Sequence, residues 1–352
     1  MNLLPRVRSA TVDTARIRMH LLESGPADGP VVVLVHGNLS TGRFYEHLMP
    51  HLGEYRVLAP DMRGFGRSEN AVLDATRGLD DWADDLDALL TALGITDPVH
   101  LVGWSTAGAA IAAYAMDRPV ASLTFLDPVS PHGYGGTFAD GSPCSPDFAG
   151  SGAAGANPEL IRRLAEGDTT DESPFSIRSV MRSLYWSPAF TLPRDREDVL
   201  VDEVLLTVTG DANYPGDVVA SPNWPGGAPG VTGILNALSP RYCSWTGILD
   251  IDPKPPVLWT HGTQDLVVAD GSPLEFGTLG QSGAVPGWPG ADAYPPQPMV
   301  SQIRELLTRY EEKGGSVRTE LFEGSGHGPH VDAQDRWLAV FREFLSGIRL
   351  GI

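Results

Sequence analysis

The stretch that decides the fold is residues 99–116, VHLVGWSTAGAAIAAYAM. It begins with a short, mostly apolar run, which predicts a strand buried on both faces of a sheet. Residues 107–116 are rich in alanine and predict a helix. The turn between the two must be sharp, and the small residues Gly103 and Ala107 on either side of Ser105 suit a turn in which backbone segments pack closely. A serine is therefore predicted at a strained turn between a strand and a helix.

The alternation of strands and helices continues in both directions along the chain. Apolar runs at residues 31–35 and 55–59 predict two earlier strands, and large apolar residues from Trp82 to Leu93 recur at helical spacing. Further predicted elements are strands at 123–126, 257–260 and 317–322, a helix at 299–312 and a last helix that carries an apolar stripe from Trp337 to Ile348. This order predicts an α/β fold with a doubly wound, mostly parallel sheet.

Two segments interrupt the alternation. Residues 128–254 mix Gly/Pro-rich loops with isolated helical pieces and are predicted to form an inserted cap. Residues 270–298 are dense in glycine and proline and are predicted to be a loop insertion. The predicted core therefore consists of residues 1–127 and 255–352, and the 270–298 insertion lies within its second part.

Two further motifs follow predicted strands. His36-Gly37-Asn38 follows the strand at 31–35, and the run DMRGFGRS at 61–68 follows the strand at 55–59. Together with the turn at Ser105, these motifs resemble the esterase, epoxide-hydrolase and dehalogenase branch of the α/β-hydrolase superfamily. The resemblance covers residues 31–128 and the chain from 257 onwards, and it leaves out the cap. Within the second motif, Asp61 and Arg63 are expected to shape the turn.

The resemblance implies a set of site residues. Ser105 would be the nucleophile, and the backbone N–H groups of Asn38 and Thr106 would form the oxyanion hole. His327 follows a strand and precedes the last helix, where the superfamily places its general base, and it is favoured over the nearby His330. Asp265 follows the strand at 257–260 and is expected to orient the base.

Three other carboxylates are alternatives for this acid. Asp127 lies at the end of an earlier strand, a position that some relatives use instead. Asp250 and Asp270 lie on either side of the strand that precedes Asp265. Asp265 is favoured because it lies on the loop after the strand at 257–260, where the resemblance places the acid; the chain order is then Ser, Asp, His.

A serine at the turn also selects the chemistry. Haloalkane dehalogenation and epoxide opening through an alkyl-enzyme ester need a carboxylate there, so both are disfavoured. A serine alkoxide attacks an acyl carbon and gives an acyl-enzyme that water resolves, which predicts hydrolysis of a carboxylic ester or a lactone. Amide hydrolysis, carbon–carbon bond hydrolysis and acyl transfer use the same triad and stay open. In another class, a non-catalytic binder of a small ligand also stays open.

The bulk charge restricts the partners. A net charge of -19 repels phosphate backbones and anionic lipid headgroups, so neither nucleic acid nor a membrane is expected as a partner. The acidic run of residues 80–87 is expected to be a solvated surface. With few basic residues in the cap, the substrate is expected to be a small, largely uncharged molecule. The candidate substrate-binding residues are Trp104, Tyr185, Trp186 and Trp245, although aromatic residues of a cap are as often part of its core.

The remaining expectations concern cofactors and location. The sequence has no metal-ligand cluster, phosphate-binding loop or dinucleotide fingerprint, so neither a cofactor nor a metal is expected. Cys144 and Cys243 are expected to be free thiols. Without a stretch resembling a signal peptide or a membrane helix, a cytoplasmic protein is expected. The oligomeric state stays open.

Overall fold

The computed structural model describes residues 2–348. Residues 1 and 349–352, the outer ends of the predicted core, lie outside this range. The strands of the described chain are β1 (Arg8–Asp13), β2 (Arg18–Ser24), β3 (Val31–Val35), β4 (Arg56–Pro60), β5 (His100–Trp104), β6 (Ser122–Leu126), β7 (Val218–Ala220), β8 (Gly227–Pro229), β9 (Val257–Gly262) and β10 (Val317–Phe322). Eight of them form one sheet in the order β1-β2-β4-β3-β5-β6-β9-β10, and β7 pairs with β8.

The large sheet is mostly parallel, as predicted. Strands β4, β3, β5, β6, β9 and β10 run parallel to one another, whereas β2 pairs antiparallel with both β4 and the edge strand β1. All residues of β5, β6 and β9 are buried, as expected for central strands covered on both faces. The predicted fold class is therefore confirmed.

Helices connect the strands and occupy part of the segment that was predicted as a cap. The helices of the described chain are α1 (Asp80–Ala92), α2 (Ala107–Asp117), α3 (Pro158–Glu166), α4 (Ile177–Val180), α5 (Arg194–Val204), α6 (Ile234–Ala237), α7 (Phe276–Gln281), α8 (Met299–Glu312), α9 (Pro329–Asp332) and α10 (Gln334–Gly347). Among these, no helix has both the length and the apolar character needed to cross a bilayer.

The chain between β6 and β9 contains α3 to α6 and the β7–β8 hairpin, and this is where the cap was predicted. The 270–298 insertion is tied to this region by side-chain hydrogen bonds. The Tyr294 hydroxyl donates to the Ala149 carbonyl at 3.0 Å, and Gln297 Nε2 donates to the Gly133 carbonyl at 3.1 Å. In the other direction, Trp224 Nε1 donates to the Pro286 carbonyl at 2.9 Å. The insertion and the region before β9 thus form one continuous layer.

The acidic run at residues 80–87 differs from its expected role as a solvated surface. Asp81 and Asp85 are buried, and Arg63 reaches Asp85 through two hydrogen bonds of 2.6 and 2.7 Å. Arg16 also pairs with Asp85, at 2.8 Å. A buried carboxylate needs such partners because leaving water is costly for a charge. The run therefore connects α1 to the turn after β4, which is the structural role expected for Arg63.

Candidate active site

The turn at Ser105 is as sharp as the sequence predicts. β5 ends at Trp104 and α2 begins at Ala107, and Ser105 has a φ of 56, in the left-handed region that side chains rarely adopt. Its backbone N–H donates to the Leu126 carbonyl at 2.9 Å, and its carbonyl accepts from the Val129 N–H at 3.0 Å. These bonds to β6 and the segment after it hold the strained residue in place.

Close backbone approaches explain why small residues surround Ser105. A Cβ atom on Gly103 would lie 2.5 Å from the Ala107 carbonyl oxygen, which is too close for any side chain. A Cβ atom on Gly37 would lie 2.9 Å from Cβ of Ser105. The loop after β3 and the turn after β5 therefore meet at a distance that only glycine permits at position 37.

Asp265 and His327 are brought together by the loops after β9 and β10. His327 Nδ1 lies 2.8 Å from Asp265 Oδ2, and since a carboxylate can only accept, Nδ1 carries the proton. The other oxygen, Oδ1, accepts from the Val267 and Val268 N–H groups at 2.7 and 3.1 Å. Burial alone would raise the pKa of Asp265, but the hydrogen bond and charge of His327 hold it below its usual value. Nε2 of a neutral His327 is then free to accept a proton.

Two side chains fix the His327 loop: Asp332, which the sequence did not single out, and Trp104, which it singled out only as a substrate-binding residue. Asp332 accepts a hydrogen bond from the Gly326 N–H at 2.8 Å and also binds the Ser325 hydroxyl. From the opposite side, Trp104 Nε1 donates to the His327 carbonyl at 2.7 Å. A possible signal for Asp332 was its place one helical turn after the Gly-His-Gly-Pro motif, where a carboxylate can reach back to loop N–H groups.

The structure separates the alternative acids and bases. Asp250 is paired at the surface with Lys313 at 2.8 Å, and Asp270 accepts from the Ser301 N–H at 3.0 Å. His330 is buried with its ring centroid 4.8 Å from that of Trp104, and it does not line the cavity that contains Ser105. Only Asp127 lies beside Asp265 and His327.

Within residues 2–348, one group of three potential ligands could hold a metal ion. It consists of Asp127, Asp265 and His327, whose ligand atoms lie within 4.8 Å of one another. However, Asp265 and His327 already share a proton in a 2.8 Å hydrogen bond. That bond satisfies the atoms that a metal would otherwise bind, so the arrangement fits an acid–base pair.

The backbone N–H groups of Asn38 and Thr106 have no hydrogen-bond partner within residues 2–348. Both residues line the cavity that contains Ser105 and His327. Thr106 immediately precedes α2, so the positive end of the helix dipole also points to this region. Two free donors beside a serine can stabilise negative charge on an oxygen bound there.

A cap residue stabilises the loop that contains Asn38. Leu39, the next residue, has a φ of 48, and its carbonyl accepts a 2.9 Å hydrogen bond from the Tyr185 hydroxyl. Since an unusual φ persists only where surrounding contacts require it, Tyr185 helps to orient the Asn38 N–H.

Replacing Tyr185 with phenylalanine is expected to lower kcat about tenfold and to leave KM within about twofold, because one hydrogen bond that positions a donor is lost without a change in cavity shape. The matched control is Tyr214→Phe. Tyr214 lines the same cavity, and its hydroxyl has no hydrogen-bond partner among the described residues. Steady-state kinetics of both variants test this, and equal losses in the two would contradict the role of Tyr185.

The cavity above Ser105 has a volume of about 560 Å³, which is within the range of small-molecule sites. Of the four predicted substrate-binding residues, Trp104 and Tyr185 line it, but Trp186 and Trp245 do not. Trp245 is buried with its Nε1 donating to the Val129 carbonyl at 3.1 Å. Trp186 packs behind the His327 loop, where a Cβ atom on Gly328 would lie 2.9 Å from its ring. Both are structural residues.

The cavity opens between the region before β9 and the 270–298 insertion. Among its lining residues, Phe175 is 39% exposed and Leu274 is 38% exposed, and each follows an exposed proline. Gly155 and Ser183 are the other exposed lining residues of the described chain. An apolar rim of this kind at the mouth of an apolar cavity favours the entry of an apolar molecule.

A mostly parallel sheet with a strained serine turn after β5, and with Asp and His loops after β9 and β10, is the arrangement of the α/β-hydrolase class. The model of the alpha/beta hydrolase fold family matches residues 30–279. The chain therefore belongs to this family, and the resemblance seen in its motifs is confirmed.

Relatives with curated descriptions match only part of the chain. A haloalkane dehalogenase of Mycobacterium marinum is 39% identical over 103 residues, which are 27% of this chain and 35% of that protein. The lipase LipV of Mycobacterium tuberculosis is 39% identical over 114 residues, or 32% of this chain and 42% of that protein. The chain thus spans less than half the length of these relatives.

Solved structures match almost the whole chain at low identity. A membrane phospholipase A is similar with a TM-score of 0.61 and 19% identity, over 98% of this chain and 88% of that one. An esterase from Rhodococcus sp. ECU1013 is similar with a TM-score of 0.57 and 19% identity, over 97% of this chain and 99% of that one. At this identity the similarity shows the fold.

Proposed function

We propose that this protein is a serine hydrolase that cleaves a carboxylic ester or a lactone of a small, largely uncharged molecule. The observation that carries the proposal is the 2.8 Å hydrogen bond between Asp265 and His327 at a cavity that Ser105 also lines. Serine, histidine and aspartate in these roles form the triad of acyl-transfer enzymes. The membership of the α/β-hydrolase family and its esterase-like and lipase-like neighbours support the same reaction class.

The proposed reaction begins when Ser105 Oγ attacks the acyl carbon and His327 Nε2 takes the hydroxyl proton. Negative charge that develops on the carbonyl oxygen is stabilised by the N–H groups of Asn38 and Thr106. His327 then gives its proton to the leaving alkoxide, and the acyl group stays on Ser105. Water, deprotonated by His327, attacks this ester and releases the acid. Asp265 keeps the imidazole in the required tautomer and orientation throughout.

The cavity lining supports an uncharged substrate. It contains no lysine or arginine within the described chain, and its one carboxylate is Glu275. Glu275 caps α7, since it accepts hydrogen bonds from the N–H groups of Gly277 and Thr278 at 2.8 and 2.6 Å. Anionic groups such as phosphates would find no cationic partner in this cavity, whereas an apolar acyl or alcohol part would gain from burial.

The proposal is tested by assaying p-nitrophenyl butyrate, p-nitrophenyl decanoate and a γ-lactone with the wild-type protein and with Ser105→Ala. A fluorophosphonate probe, followed by mass spectrometry of the labelled peptide, reports the nucleophile directly. We expect turnover of at least one ester or lactone and labelling of Ser105, both lost in the variant. Labelling without turnover of these substrates would favour an amide, a carbon–carbon bond or acyl transfer. Absence of both would favour a non-catalytic binder.

Replacing Phe175 with alanine is expected to raise KM for the decanoate ester about fivefold to tenfold, which corresponds to about 1 to 1.4 kcal/mol of lost apolar contact. KM for the butyrate ester should stay within about twofold, because a short chain does not reach the rim. The control is Val219→Ala, an exposed residue of β7 that lies outside the cavity lining. If Phe175→Ala raises KM equally for both esters, or if the control variant shows the same change in KM as Phe175→Ala, the rim does not select for chain length.

A further inference from the structure

A second carboxylate lies behind the proposed triad. Asp127 directly follows β6, is fully buried, and has an oxygen within 4.8 Å of both Asp265 and His327. Its Oδ1 accepts from the Gly262 N–H at 2.8 Å, while its buried Oδ2 accepts no hydrogen bond within residues 2–348. The mechanism proposed above does not use this residue.

The neighbouring His261 ring bears on the protonation state of Asp127. Its Nε2 lies 3.1 Å from the Val268 carbonyl, and because a carbonyl only accepts, Nε2 carries the ring proton. Burial lowers the pKa of His261, so the ring is neutral and its Nδ1 is an acceptor without a donor. This Nδ1 lies 3.5 Å from Asp127 Oδ1.

An ionised Asp127 would therefore face two acceptors, the Asp265 carboxylate and the bare Nδ1 of His261. In residues 2–348, Asp127 has no salt bridge with a lysine or an arginine that would offset the repulsion. Two buried carboxylates at this distance cannot both be charged without a large cost, and one proton shared between them removes it. Asp265 is the better site for the charge, because it accepts from Val267, Val268 and His327.

We propose that Asp127 is a positioning residue of the active site: it is uncharged, donates a hydrogen bond to Asp265, and takes over the negative charge beside His327 when Asp265 is replaced. The inference about His327 rests on the proposed function, but the protonation of Asp127 does not. The groups facing Asp127 are Asp265, His261, His327 and, further away, Asp332. Burial and then the charge of Asp265 raise the pKa of Asp127 well above its ordinary value, in the same direction as the geometric argument.

Infrared spectroscopy tests the proton independently of any enzymatic activity. Protein labelled with a carbon isotope at the aspartate side-chain carboxyl should show a carboxylic-acid C=O band at neutral pH, and Asp127→Asn should abolish it. Asparagine tolerates the φ of 43 at this position and can donate to Asp265 through its amide, so the variant should fold. A wild-type spectrum without the band, or a band that persists in Asp127→Asn, overturns the proposal.

A double-mutant cycle tests the transfer of charge. Asp127→Asn alone should lower kcat/KM less than about threefold, because its amide replaces the donated hydrogen bond. In the Asp265→Asn background, the same substitution should lower kcat/KM by a factor at least about ten times larger than in the wild-type background. The reason is that no carboxylate then remains beside His327. Equal costs of Asp127→Asn in the two backgrounds would show that Asp127 has only a local structural role. The wild-type assay and Ser105 labelling report separately on the proposed function.

Discussion

Replacing Ser105 with alanine is expected to reduce kcat/KM by about 10⁴-fold to 10⁶-fold and to abolish fluorophosphonate labelling, because the attacking oxygen is removed. The fold should persist. Ser105 Oγ makes no hydrogen bond within residues 2–348, and alanine meets the same backbone constraint as serine at a φ of 56. Thermal unfolding and circular dichroism should therefore match the wild-type protein, while substrate turnover and labelling are lost.

The matched control for this variant is Ser151→Ala. Ser151 also lines the cavity, but its hydroxyl is engaged with the Phe148 carbonyl at 2.8 Å and with Ser239 at 2.7 Å. Its replacement should leave labelling intact and activity within about tenfold, because the hydroxyl has no base beside it. Substantial acyl hydrolysis by Ser105→Ala, or labelling that disappears only in Ser151→Ala, would contradict the assignment of the nucleophile.

Replacing His327 with glutamine is expected to reduce kcat by about 10⁴-fold to 10⁶-fold, since glutamine cannot accept the proton of Ser105 at neutral pH. The residual rate of the variant should rise in proportion to hydroxide concentration, because hydroxide then replaces the missing base. Measuring kcat/KM across the pH range in both proteins tests the role of His327 as base.

His330→Gln provides the comparison for His327→Gln. His330 lies close in sequence but faces the rings of Tyr45, Trp104 and Trp337, with centroids 5.1, 4.8 and 6.4 Å away. Burial and nearby histidines keep the pKa of His330 well below its usual value. This variant should retain most of kcat, with any loss appearing in thermal stability. The reverse pattern of the two histidine variants would move the base to His330.

The sheet and the loop positions of the three residues of the proposed triad could be predicted because their signals are local. Apolar runs of strand length end in turn residues, and Ser105, Asp265 and His327 each directly follow such a run or lie a few residues beyond it. Parallel strands bring their carboxyl ends to one edge of the sheet, so loops that are distant in sequence meet there. Asn38 and Thr106 were predicted from the resemblance to the α/β-hydrolase superfamily, and their role stays a prediction.

The contacts of the cap could not be predicted, because they depend on pairings between distant segments. Trp186 and Trp245 have the composition of substrate-binding residues, yet their rings pack behind the His327 loop and under the segment after β6. Conversely, no sequence motif marks Phe175 or Leu274, and only the folded chain brings both residues to the mouth of the cavity. Composition identifies which side chains are apolar, but only the tertiary fold determines which of them face a cavity.

The acid of the proposed triad is an intermediate case. Sequence left Asp127 and Asp265 as alternatives, and the structure places both at one site with a hydrogen bond from His327 to Asp265. No local signal could show this, because it depends on the pairing of β6 with β9. Since both carboxylates lie at one site, what distinguishes Asp127 from Asp265 is which of them carries the proton.

The hydrogen bonds from Tyr294, Gln297 and Trp224 that join the 270–298 insertion to the region before β9 affect how a ligand reaches Ser105. Both rims of the entrance belong to this joined layer, so a fluctuation of the insertion alone would break two buried hydrogen bonds and the exposed one from Trp224. A molecule wider than the entrance must then wait for a cooperative opening of the layer. Amide deuterium exchange in the two segments would proceed in step, and the opening rate, shared by both rims, would limit the capture of bulky substrates.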